Sequence, residues 1–112
     1  MRPDDVIRVR HMIEAAEAVM RFLSGRDRAA LDDDRMLLFA LTRAVEIIGE
    51  AASKVSMETR DEAPFIPWAE IVSMRNRLIH AYFDIDHDIL WKTAVEEVPE
   101  LLGLLRPLVP GN

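Results

Sequence analysis

Apolar residues recur at steps of three and four along almost the whole chain, the spacing of one face of an α-helix. The first such run follows a Pro-Asp-Asp sequence at positions 3–5, a favourable helix start, and the pair Ser24 and Gly25 ends it. Its stripe comprises Val6, Val9, Ile13, Ala16, Met20 and Leu23, widened by Met12 and Val19. Nowhere do apolar and polar residues alternate over six or more positions as in a strand, so the pattern predicts an all-α fold.

A second helix is predicted after the charged connector 26–28. The three aspartates at 32–34 supply its N-cap, and it extends to about Ser56. Its core stripe comprises Leu37, Leu38, Leu41, Val45, Ile48, Ala52 and Val55, and Met36, Phe39, Ala40, Ala44, Ile47 and Ala51 make it apolar nearly all round. Such a helix is central or lies in an interface. Gly49, which costs about 1 kcal/mol relative to Ala in mid-helix, indicates that another backbone approaches closely there.

The stretch from Met57 to Pro67 contains charged residues and two prolines and shows no periodic spacing of apolar residues, so it is predicted to be a loop. Pro67 suits the first turn of a third helix, whose apolar side comprises Trp68, Ile71, Val72, Leu78 and Ile79. Arg75 falls among these apolar positions in helical projection, so burying it requires a partner.

From Tyr82 to Asp86 the helical pattern fails, and Asp86 is predicted to cap a fourth helix that Pro99 kinks. The stripe of this helix comprises Leu90, Ala94, Val98, Leu101 and Leu105. Pro107, Pro110 and Gly111 end the pattern. The prediction is therefore an up-and-down bundle of four to five helices in one domain, residues 1–112.

Composition excludes several classes of protein and of functional site. With 112 residues the chain is one average domain long, and without cysteine it has no disulfide, thiol nucleophile or thiolate zinc site. The longest apolar run, 36–41, is far shorter than a membrane span and the charged start is no signal peptide, so a cytoplasmic protein with no membrane partner is expected. The net charge of −6 argues against a protein that coats nucleic acid through bulk electrostatics. The charge is unevenly distributed, since residues 1–31 carry +1 and residues 32–112 carry −7.

Two sets of possible ligands do not form a predicted metal site. Asp84, Asp86 and Asp88 are spaced as in a calcium loop, but Ile89 stands where Gly is needed and Val95 where a chelating Glu is needed. Helix capping is the preferred interpretation of these aspartates. His11 and His87 are isolated and are interpreted as surface histidines. No metal and no cofactor is expected.

On the second helix, polar residues interrupt the apolar surface along one face. They are Arg43, Glu46, Glu50 and Ser53. Their simplest interpretation is the solvated side of the helix; the alternative is a polar groove shared with a partner.

The segment 74–82 concentrates reactive side chains: Arg75, Asn76, Arg77, His80 and Tyr82. Guanidinium can bind phosphate, and imidazole can move protons near neutral pH. Together they can cleave RNA without a metal, with the substrate's 2′-hydroxyl attacking phosphorus, His80 handling a proton and Arg75 stabilising the charge on phosphate. On one regular helix Arg75 and His80 point about 140° apart. Either the helix ends near His80, or two chains place their motifs face to face.

At this motif the sequence resembles the HEPN superfamily, and within it the HepT-like toxins, whose mark is R-x4-H-x-Y. Here the motif comprises Arg75, His80 and Tyr82, with Asn76 after the Arg. Other stretches are similar in order and spacing: Glu46 to Ala52, Pro67 to Ile71, Asp84 to Asp86, Trp91, and Pro99 to Leu102.

The resemblance implies an all-helical, homodimeric, metal-independent endoribonuclease that is the toxin of a toxin–antitoxin pair, acting on RNA and not on DNA. It implies that Arg75 and His80 are catalytic and that Asn76 supports them. It also implies that a MntA-like nucleotidyltransferase antitoxin adenylylates Tyr82 and so silences the nuclease. Two alternatives stay open: a non-catalytic helical module that binds a nucleotide or assists a nucleotidyltransferase, and a bundle in which the motif Arg and His only hold a dimer together.

Overall fold

A computed structural model describes residues 1–81 and 84–111 of the chain, with the backbone alone at positions 80 and 81. The first helix, α1, spans Pro3–Leu23, and Gly25 follows it with a left-handed φ of 73° that suits glycine. A short α2, Ala30–Asp33, leads to the central helix α3, Arg35–Ser53. The Asp34 carboxylate caps α3 by accepting from the backbone N–H groups of Met36 and Leu37. The predicted cap is therefore confirmed, at the last of the three aspartates.

The predicted loop between Met57 and Pro67 is wrong in its first half, which forms helix α4, Met57–Glu62. The Ser56 hydroxyl caps α4 by accepting from the N–H of Thr59. The hydroxyl groups of Ser56 and Thr59 each donate to the buried Asp5 carboxylate of α1 at 2.6 Å. Ser56, where the second helix was predicted to end, instead begins the next one, because a contact 51 residues away in sequence fixes this corner.

The third predicted helix is divided in two and is shorter than its apolar pattern. Helix α5 spans Trp68–Val72, a turn at Ser73 follows, and α6 spans Met74–Leu78. The chain then forms β1, Ile79–Ala81, which pairs antiparallel with β2, Asp84–Ile85. This small two-stranded ladder did not show in the sequence pattern, because two- and three-residue strands are too short to show alternation, and the predicted all-α fold class is confirmed.

The last predicted helix begins with α7, His87–Lys92, capped by the Asp86 carboxylate, which accepts from the N–H of Ile89. One π-helical turn, Thr93–Glu97, joins α7 to α8, Val98–Leu105. The expected irregularity at Pro99 takes this form, since a proline ring clashes with the carbonyl four residues earlier in a regular helix and a wider turn relieves the clash. A 3₁₀ turn, Arg106–Leu108, follows α8.

The core lies between α1, α3 and α8, with α5 and α6 packed against α3. The predicted stripe of α3 is buried along its whole length, which confirms that this helix is central. At Gly49 a Cβ atom would lie 3.1 Å from the carbonyl oxygen of Ile71. The predicted close approach of a second backbone is thus confirmed, and it places α5 directly against α3.

Among residues 1–81 and 84–111, no helix is both long and apolar enough to cross a membrane. The architecture is an all-α bundle with one small hairpin at the end of α6.

Candidate functional site

Arg75, the first residue of the sequence motif, lies in a cleft between α3, α6 and the hairpin. The cleft has a volume of about 240 Å³. Its lining comprises Phe39, Thr42, Glu46, Arg75, Ile79 and Ile85. The central helix therefore forms one wall of the cleft and the motif segment forms the other.

The Arg75 guanidinium is held by an ion pair with Glu46. Its Nε donates to Glu46 Oε2 at 2.8 Å, and among the described residues no acceptor is bonded to its two terminal nitrogens. Half of the Arg75 side chain is exposed, whereas Glu46 is mostly buried. A half-exposed pair of this kind contributes about 1 kcal/mol or less to stability. Its effect is mainly to orient the guanidinium, with its free N–H groups available to an anion in the cleft.

The backbone changes from helix to strand between Arg75 and His80. Helix α6 ends at Leu78, Ile79 has extended dihedral angles, and His80 lies in β1. The 140° separation of a regular helix therefore does not apply to these two residues. The sequence left two possibilities open: the helix ends near His80, or two chains place their motifs face to face. The structure shows that the helix ends before His80. The His80 side chain and the whole of Tyr82 lie outside the described residues, so both roles stay predictions.

The remaining motif residues do not share the Arg75 cleft. Asn76 is exposed, with its backbone N–H donating to the Ser73 carbonyl. Arg77 pairs with Glu97 at 3.3 Å and lines a different cleft of about 250 Å³. The structure thus separates the two arginines of segment 74–82, and Arg75 is the one that lies beside the hairpin.

The residue that sequence reasoning missed is Glu46. It was placed on a polar face of the second helix, but nothing in the sequence connected it with Arg75, which is 29 residues away. The other polar residues of that face are solvated, since Arg43 pairs with Glu50 at 3.1 Å and both are more than half exposed. The available signal was a carboxylate interrupting an otherwise apolar helix.

The aspartates around 84–88 contribute to structure rather than to a calcium loop. Asp86 caps α7, and Asp88 pairs with Arg28 at 2.6 Å. His87, expected to be a surface histidine, is half-buried with its Nδ1 2.7 Å from Asp32 Oδ1. This contact and a second one from Arg28 hold the pKa of the Asp32 carboxyl below its usual value. In the part of the chain that the structure describes, no three potential metal ligands are grouped together.

Comparison with known proteins places these residues in a family. The family profile described as "Ribonuclease HepT-like" matches residues 12–108. The chain is 40% identical over 90 residues to "Putative RNase MJ1380" of Methanocaldococcus jannaschii, covering 80% of this chain and 83% of that protein. It is 45% identical over 75 residues to "Probable ribonuclease HepT" of Thermococcus cleftensis, covering 67% and 68%. It is 36% identical over 91 residues to "Putative RNase TTE0752" of Caldanaerobacter subterraneus subsp. tengcongensis, covering 81% of each. No matching solved structure was found.

The matched region begins within α1 and ends after α8, so it contains both walls of the Arg75 cleft and the whole motif segment. The chain therefore belongs to the HepT-like ribonuclease family.

Proposed function

We propose that this protein is a metal-independent endoribonuclease. The observation that supports this most directly is the Arg75 guanidinium in its cleft, oriented by Glu46 and followed by a backbone that leaves the helix before His80. A guanidinium with free N–H groups in a cleft is suited to binding a phosphodiester. The family membership supports RNA as the substrate, because the relatives named above are described as ribonucleases.

In the proposed reaction the 2′-hydroxyl of the RNA attacks the adjacent phosphorus, and the bond from phosphorus to the 5′-oxygen of the next nucleotide breaks. His80 moves protons between the 2′-hydroxyl and the leaving 5′-oxygen. Arg75 stabilises the charge that develops on the phosphate. The supporting role that the family resemblance implies for Asn76 would act from outside the Arg75 cleft, which Asn76 does not line. The products are a 2′,3′-cyclic phosphate and a 5′-hydroxyl. Because the substrate supplies the nucleophile, neither a protein nucleophile nor a metal-bound water is needed.

The test compares an RNA oligonucleotide with the same sequence carrying 2′-deoxy sugars, in excess EDTA. RNA should be cut to 2′,3′-cyclic phosphate ends, and the 2′-deoxy strand should stay intact. His80→Ala and Arg75→Ala should each abolish cutting while keeping the wild-type helical circular dichroism. Equal cutting of the 2′-deoxy strand rules out this mechanism. A folded protein that binds RNA or nucleotide without cutting either strand favours the non-catalytic module.

The proposed enzyme is a homodimer in which two Arg75 and His80 pairs line one cleft. Exposed apolar side chains on α3 and α5, Met36 and Val72, support a contact between copies. Light scattering should give about twice the chain mass of 12.8 kDa. A monomer that still cuts RNA contradicts the shared cleft.

The proposed biological role is that of a toxin silenced by a MntA-like nucleotidyltransferase, which transfers AMP to Tyr82. Tyr82 stands two residues after His80, so an attached AMP phosphate would compete with the RNA backbone for Arg75. Tyr82→Phe should keep nuclease activity and escape silencing by the cognate nucleotidyltransferase with ATP. Mass spectrometry of the co-expressed wild-type pair should show added masses of about 329 Da, that of one transferred AMP, on the peptide containing Tyr82. Silencing without that added mass contradicts the modification, whatever the outcome for the nuclease.

A further inference from the structure

An exposed aromatic ring borders the Arg75 cleft and has no role in the proposed reaction. Phe39, on α3, is 50% exposed, although the residue before it, Leu38, belongs to the core. It lines the Arg75 cleft, and it also lines a second depression of about 190 Å³. The ring therefore lies between the cleft where a phosphate would bind and the second depression.

The positive charge of Arg35 lies against this ring. The Arg35 guanidinium carbon is 4.9 Å from the centre of the Phe39 ring, a cation–π contact. Arg35 lines the second depression and not the Arg75 cleft, which places it on the far side of the ring. Within residues 1–81 and 84–111 it makes no ion pair, in contrast to Arg75. It is also the first residue of α3, where the helix dipole disfavours a cation, so its position is not explained by helix stability.

We propose that Phe39 and Arg35 form a stacking platform for the RNA base next to the phosphate that Arg75 holds. The base would stack on the ring surface that borders the Arg75 cleft, with the guanidinium of Arg35 behind the ring. Single-stranded RNA is commonly held in this way, by aromatic side chains that stack on bases and by nearby arginines. This proposal rests on the proposed ribonuclease function and adds a subsite that fixes the base beside the cleaved bond.

The residues around the ring favour RNA as its occupant. The ring borders the Arg75 cleft, where the terminal N–H groups of Arg75 are bonded to no acceptor among the described residues and suit a phosphate. The carboxylates of Asp32 and Asp84 line the second depression together with Arg35 and do not line the Arg75 cleft, so they lie away from the proposed stacking surface. Met36 is more exposed than Phe39 and follows Arg35 in sequence, but it lines neither the Arg75 cleft nor the second depression.

The test measures binding of a short fluorescein-labelled single-stranded RNA of mixed sequence to His80→Ala protein, which should leave the RNA intact. Phe39→Leu keeps the apolar bulk and removes the π face, so it should weaken binding between about 5-fold and 100-fold, the range of one base–aromatic stack. Phe39→Trp keeps the face and should bind as well as the parent. Phe65→Leu is the matched control, because Phe65 is 57% exposed but lines the cleft of Arg77.

Two further measurements identify a base as the occupant and Arg35 as part of the platform. An abasic nucleotide beside the cleaved bond should weaken binding to the parent, but not weaken it further in Phe39→Leu, since the two changes remove the same stack. Arg35→Gln should weaken RNA binding in the parent more than in Phe39→Leu, because Arg35 lies against the ring and acts through it. Circular dichroism and light scattering on every variant show whether fold and assembly are unchanged.

The possible outcomes distinguish a failure of the stacking platform from a failure of the proposed nuclease function. If the protein binds RNA in a Phe39-dependent way but wild type does not cut it, the platform stands and the proposed nuclease function is wrong. If wild type cuts RNA while Phe39→Leu binds as tightly as the parent, the nuclease stands and the platform is wrong. A Phe39→Leu protein that loses affinity together with its oligomeric state assigns the patch to a contact between copies and overturns the proposal. Absence of any RNA binding overturns both.

Discussion

Replacing Glu46 with Gln tests whether the ion pair in the cleft orients the proposed catalytic arginine. Gln has the shape of Glu and can still accept a hydrogen bond from Arg75 Nε, now 2.8 Å from Glu46 Oε2, but it removes the charge that fixes the pair. Arg75 is half exposed, so the lost pair should cost about 0.5 kcal/mol of stability and at most a few degrees in thermal midpoint. Glu46 is therefore expected to be a positioning residue.

The effect on catalysis should be much larger than the effect on stability. A displacement of a catalytic group by about 1 Å can cost on the order of a hundredfold in rate. We therefore expect Glu46→Gln to reduce kcat between about 10-fold and 100-fold, with little change in KM. The assay is steady-state cleavage of a fluorescent RNA, with thermal melting of the same samples.

Glu50→Gln provides the matched control for this substitution. Glu50 lies one turn further along α3 and pairs with Arg43 at 3.1 Å, but it does not line the Arg75 cleft. The Glu50→Gln variant should lose about as much stability as Glu46→Gln and should keep the wild-type kcat. Wild-type kcat in Glu46→Gln, when Arg75→Ala is inactive, would refute the positioning role. A loss of kcat that merely follows a large fall in thermal midpoint would refute it as well.

Four further outcomes are expected. Asp5→Ala should cost about 3 kcal/mol in urea unfolding, because it leaves buried donors without their acceptor. Burial raises the pKa of Asp5, but hydrogen bonds from Ser56 and Thr59 outweigh this and hold the pKa below its usual value. Wild-type stability should therefore decline as the pH falls below roughly 4, and the stability of Asp5→Asn should decline less. Gly103→Ala, with open space around the new methyl group, should gain up to about 1 kcal/mol, whereas Gly49→Ala should show no gain in thermal midpoint because Ile71 must move. Arg77→Gln should keep wild-type cleavage of RNA, since Arg77 lines another cleft.

Local sequence determined where α1, α3 and α7 begin and where α1 ends, since a cap acts over only three or four residues. Asp34 and Asp86 cap the helices that were predicted to follow them, and Gly25 follows the end of α1. The predicted apolar stripe of α3 is the buried stripe, because helical periodicity decides which side faces the core. Even the contact with Gly49 was readable, since a glycine in mid-helix is costly without a close neighbour.

Only the tertiary structure decided the features that depend on residues far apart in the chain. Helix α4 exists where a loop was predicted because Asp5 binds the two hydroxyl groups at its start. Helix α6 ends at Leu78, whose carbonyl accepts from the N–H of Asp86 at 2.7 Å as the chain returns through the hairpin. Periodicity and capping describe neighbours along one helix and carry no information about which helix lies opposite. The ion pair between Glu46 and Arg75 forms because packing brings α6 against α3, and that packing builds the candidate site.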